Sequence, residues 1–169
     1  CKTNHVVIDT LDQKEIMQKI AEEAYWCWWQ FQEGKADFLD PEWARADVWC
    51  FLCSDIQFRD KVKEKYPQGI QGFDTFLKET SLKPKYDGSY VDYLPISSKE
   101  EQSISTIPTQ TPFSIAFFGV KKSFILPPPS PSSYFSLGPF GRHYLSGMLY
   151  SSVDIRDFCS RLTVGEPLS

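Results

Sequence analysis

The chain has 169 residues, of which 41% are hydrophobic and 24% charged, with a formal net charge of −4. That size and balance fit a globular chain with a core of its own. The acidic sign disfavours a nucleic-acid partner, which requires a basic face. No apolar run reaches the roughly 18 residues of a membrane span, so no transmembrane segment is expected, and peripheral membrane association stays open.

The first predicted element is a helix starting near Thr10. Thr10 and Gln13 have the spacing of a capping box, in which side chain and backbone satisfy each other's amides. Met17, Ile20, Ala24, Cys27 or Trp28, and Phe31 then recur at gaps of three and four, one stripe of a 3.6-residue helix. Gly34 supplies a stop. A second helix is expected from Asp40, an N-cap, followed by Pro41 and Glu42 at positions that suit a first turn. Trp43, Val48, Phe51 and Leu52 form its apolar face, and it ends near Ser54. The Ser54–Gln57 spacing then opens a third helix over Asp55 to Tyr66, with Phe58, Val62 and Tyr66 at every fourth position. Pro67 and Gly69 end it. A short fourth helix over Ile70 to Glu79 adds Phe73, Phe76 and Leu77.

The composition changes near residue 80. The first 80 residues hold all five tryptophans, two prolines and one serine, whereas residues 81–169 hold ten prolines and seventeen serines and no tryptophan. The charge shifts from about −5 (10 basic, 15 acidic) to about +1 (8 basic, 7 acidic). The prolines oppose long helices. The turn Asp87-Gly88, one or two strands within "FSIAFFGVKKSFIL", an irregular "PPPSPSS" and a short last helix over Ser152 to Leu162 complete the pass. The expected fold is therefore mainly α: a bundle of three or four helices over 1–80, followed by a proline- and serine-rich, largely irregular arm over 81–169.

The densest motif is "AYWCWWQF", Ala24 to Phe31, with three tryptophans, a tyrosine and a phenylalanine in eight positions. Trp28 and Phe31 share the core stripe. Trp26 and Trp29 lie off it, either buried against further helices or exposed as a partner-binding face, since tryptophan is enriched at interface hot spots; a cofactor pocket is the third reading. In the second part, Tyr86, Tyr90, Tyr93, Phe113, Phe117, Phe118 and Phe124 supply apolar area that a small bundle does not cover. Trp26, Trp29, Phe113, Phe117, Phe118 and Phe124 are accordingly the candidate partner-binding residues.

Cys50-Phe51-Leu52-Cys53 is a C-x-x-C pair. A zinc site wants a second ligand pair, and none follows at metal-binding spacing. A thioredoxin-like pair sits at a helix start, where the dipole lowers a thiol pKa; this pair falls at the expected end of a helix. Cys27 is a candidate to join Cys50 and Cys53 in a metal or redox site. Five cysteines at irregular spacing do not resemble a disulfide framework, so reduced thiols and an intracellular compartment are expected. The start at Cys1 is compatible with removal of a targeting segment for an organelle.

No G-x-S-x-G, G-x-G-x-x-G, P-loop or H-E-x-x-H motif occurs, and the two histidines, His5 and His143, lie far apart in sequence. "GPFGRH" reads as a turn. The functional expectation is a non-catalytic accessory or structural subunit that contacts other protein subunits through the aromatic helix and the arm. The alternatives are a thiol-dependent redox or metal-binding protein built on Cys50 and Cys53, and a standalone helical binding module.

Overall fold

A computed structural model describes residues 3–31, 48–95, 105–121, 133–139 and 144–151. The chain order is β1 (Asn4–Ile8), α1 (Gln13–Gln30), β2 (Val48–Phe58), α2 (Asp60–Lys65), β3 (Ile70–Gln71), α3 (Phe73–Glu79), α4 (Tyr90–Tyr93), β4 (Thr106–Ile107), β5 (Phe113–Lys121), β6 (Ser133–Pro139) and β7 (Tyr144–Ser151). The mainly helical expectation is overturned. A five-stranded mixed sheet, in the order β1-β2-β5-β7-β6, forms the frame, and β3 and β4 make a separate two-stranded ribbon. β1 runs parallel to β2, and the other pairs in the large sheet are antiparallel.

The first helix forms where its stripe predicts. Asp12, rather than Thr10, is its N-cap and accepts from the Glu15 amide at 2.8 Å, while the Thr10 hydroxyl bonds the Glu15 carboxylate at 2.7 Å. Ile16, Ile20, Ala24, Cys27, Trp28 and Phe31 are all buried. Because a parallel strand pair needs a long crossover, α1 belongs to the connection between β1 and β2. Its apolar stripe packs on β2 and β5 and, at its flank, on α3 and α4.

The second expected helix is corrected from Val48 onward. Val48–Phe58 is a strand, not the end of one helix and the start of another. The segment is rich in β-branched and aromatic residues, which suit a pleated half-buried surface. Its alternation was hidden by a bulge. Leu52 pairs with Ala116 and Ser54 with Ile115, so Cys53 is an extra residue in the ladder. A bulge of this kind shifts the phase of the side chains. Cys53, Ser54, Ile56 and Phe58 are all buried as a result, although a regular strand would send Cys53 and Ser54 to opposite faces. The third helix shrinks to Asp60–Lys65, and the fourth runs over Phe73–Glu79. Asp40 to Trp43 lie outside the described residues, as does the terminal helix expected over Ser152 to Leu162.

The largely irregular arm is corrected as well. β5, β6 and β7 pair in register, and β5 lies beside β2 in the middle of the sheet. Phe113, Ile115 and Phe117 alternate with Ser114, Ala116 and Phe118, and all six are buried. Burial on both faces is what a near-continuous apolar run reports in a central strand. Pro108 and Pro112 stand just outside β4 and β5, where a missing amide removes no ladder bond. Gly69 is required beside the ribbon: its φ is +82°, and an added Cβ would lie 2.6 Å from the Ile107 carbonyl oxygen.

Candidate docking site

The C-terminal half of α1 carries a polar clasp on one side and an aromatic shelf on another. On the clasp side, the bulge in β2 directs two consecutive residues at the helix. Cys53 is disulfide-bonded to Cys27, with Cα atoms 5.6 Å apart. Ser54 donates its hydroxyl to the Glu23 carboxylate, one helical turn before Cys27, and Asn4 of β1 donates to the same carboxylate at 2.9 Å. The buried Ser54 hydroxyl is thus satisfied, as a buried polar group must be. Cys50 is also disulfide-bonded.

These bonds correct the expectation of reduced thiols. Sulfurs committed to disulfides are not the thiolates that bind zinc or attack a substrate, and in this structure Cys27, Cys50 and Cys53 are all disulfide-bonded. No group of three potential metal ligands occurs among the described residues.

The shelf lies on the outward side of α1. Trp26 and Trp29 are 46% and 53% exposed, and their rings meet edge to face with centroids 5.4 Å apart. Tyr25 meets Trp26 edge to face at 5.1 Å and stacks on Tyr93 of α4 at 4.9 Å. Tyr93 in turn contacts the exposed Tyr86 at 5.1 Å. The Lys85 ammonium rests 5.0 Å from the ring centroids of both Tyr25 and Trp26, within cation–π range. A hydrogen-bonded row lies beside it: Gln18 donates to Glu22 at 2.9 Å and to the Tyr90 hydroxyl at 3.0 Å. Burial, with the nearby Glu22 carboxylate second, raises the Tyr90 phenol above its ordinary pKa. That phenol stays neutral at physiological pH and serves as a packed post under the shelf.

The expected partner-binding residues therefore separate. Trp26 and Trp29 stand at the surface. Phe113, Phe117 and Phe118 are buried, and Phe117 stacks on Phe31 at 4.2 Å and lies 6.0 Å from Trp28. Phe124 lies outside the described residues. Lys85 went unnoticed in the sequence, because no local pattern joins it to a tryptophan 59 positions earlier. His5 pairs with Asp55 across β1 and β2 at 3.5 Å, on the sheet face away from the Cys53–Ser54 clasp.

No protein-family model, curated protein or solved structure matches this chain. Among the described residues no helix is long and apolar enough to cross a membrane.

Proposed function

We propose that this chain is a non-catalytic accessory subunit that docks a protein partner through the Trp26–Trp29 shelf. The observation that carries the reading is the exposure of two adjacent tryptophans on a helix whose other face is packed. A tryptophan left half in water still has much of its apolar surface to bury, and it gains from an interface that covers it. Trp26 is braced by Tyr25, which itself stacks on Tyr93, and Trp29 meets the edge of Trp26, so part of the side-chain entropy otherwise lost on binding is already spent. The clasp supports the same reading, since a helix fixed to the sheet presents a rigid surface.

The Cys27–Cys53 bond favours maturation in an oxidising compartment, such as an organelle lumen or the cell exterior, over a reducing cytosol. Partners are then proteins of that compartment.

The test is the size of the native assembly. In its source cells the chain should migrate with a larger complex. A Trp26→Ala/Trp29→Ala double variant should leave that complex while keeping a cooperative unfolding transition, with a stability loss of about 2–4 kcal/mol because each ring is half-buried. A chain that migrates as a monomer in its native extract, or a double variant that still assembles, would overturn the proposal.

A further inference from the structure

We infer that the shelf selects an apolar peptide segment flanked by a carboxylate, with Lys85 as the anchor for that carboxylate; this rests on the docking reading above. Lys85 is exposed, and among the described residues no carboxylate pairs with it. Charged groups near it in sequence, and Glu22 one turn before Trp26, have partners of their own. Lys83 pairs with Asp87 at 2.9 Å, and the Glu22 carboxylate accepts from Gln18. The last turn of α1 contains no basic residue. Among the described residues, the positive charge on the shelf is that of Lys85, whose ammonium lies 5.0 Å from the ring centroids of both Tyr25 and Trp26.

An exposed lysine alone is a poor anchor, because a surface ion pair gains little in water. The shelf changes that balance in two ways. The two rings restrict the ammonium, so less freedom is lost when it pairs. An apolar side chain laid on Trp26 and Trp29 also removes water from beside the ammonium, where a charge-assisted hydrogen bond is stronger. A segment with only apolar residues would cover the rings and leave Lys85 desolvated and unpaired. A basic segment would meet a like charge. The arrangement thus favours Asp, Glu or a terminal carboxylate next to a large apolar side chain.

The experiment uses the intact, oxidised chain to select from a displayed library of random short peptides. The selected peptides are synthesised and titrated by tryptophan fluorescence. Enriched sequences should place an acid beside Leu, Ile, Phe or Trp. Replacing that acid with its amide, or making Lys85→Gln, should weaken binding about tenfold, the scale of one charge-assisted bond. Lys85→Arg should retain binding, and Trp29→Ala should abolish it. Enrichment of neutral or basic sequences, no enrichment, or indifference to Lys85→Gln with loss in Trp29→Ala would overturn this inference and leave the docking reading standing. Indifference to both variants would overturn the docking reading too. Binding of the chain to phosphatidylcholine–phosphatidylserine vesicles in preference to every selected peptide would assign the shelf to a membrane surface and overturn the peptide inference.

Discussion

Two tryptophans adjacent in the chain have opposite duties. Trp28 is 3% exposed and lies against Phe117, whereas Trp29 is 53% exposed and touches the edge of Trp26. A helix turns by about 100° per residue, which is enough to move a side chain from the core stripe to the solvent edge. Trp28→Ala removes a large buried ring and leaves a cavity between α1 and β5. It should cost about 3–5 kcal/mol, a large share of a domain's stability. Urea melts of the intact chain measure this directly. A midpoint unchanged by Trp28→Ala would mean that the α1–β5 contact does not hold the fold.

At the scale of elements, the decisive feature is the clasp between α1 and β2. The helix supplies Glu23 and Cys27 one turn apart, and the bulge supplies Cys53 and Ser54 side by side. The disulfide closes a span of 26 residues. By loop-closure entropy a crosslink of that length is worth about 3 kcal/mol, through its restriction of the unfolded chain. A Cys27→Ala/Cys53→Ala double variant should lose about 2–4 kcal/mol, whereas each single variant adds the risk of mispairing by the freed cysteine. The double variant, melted beside the parent under oxidising conditions, gives the comparison. A loss that disappears when both are melted with a strong thiol reductant confirms that the bond, and not side-chain volume, is responsible. Equal stability of the two under oxidising conditions would show that the disulfide adds nothing to the fold.

At the scale of the molecule, the sheet joins distant parts of the chain. β2 ends at residue 58 and its partner β5 begins at residue 113. Without β5, β6 and β7 the large sheet is reduced to β1 and β2, and a two-stranded pair is marginal by itself. Its helix-facing side would also lose Phe113, Ile115 and Phe117. A chain cut after residue 95 should therefore lose its cooperative thermal transition. In the full chain, amides of β2 and β5 should exchange with similar slow rates, because each closes the other's ladder. Slow exchange in β2 with rapid exchange in β5 would show that the two strands are not one cooperative unit.

The sequence by itself determined what depends on neighbours within a few turns. The stripe of α1, the core positions of Trp28 and Phe31, the off-stripe positions of Trp26 and Trp29, and the strand in "FSIAFFGV" are all legible from local periodicity, because side-chain direction repeats every 3.6 or 2 residues. Only the tertiary structure decided the rest. A short apolar run such as "VWCFLC" suits a helix or a buried strand, and the ladder with β5 chose the strand. The bulge at Cys53 erased the alternation that would have announced it. Whether Cys53 is a thiol or a disulfide depended on the approach of a helix from 26 positions away. The shelf depended on segments still more distant, since Lys85 reaches Tyr25 and Trp26, and Tyr93, with Tyr86 against it, reaches Tyr25, only once α4 has packed beside α1. The physical reason is the same in each case: hydrogen-bond partners and covering surfaces from elsewhere in the chain select among local conformations that the local sequence leaves nearly equal in free energy.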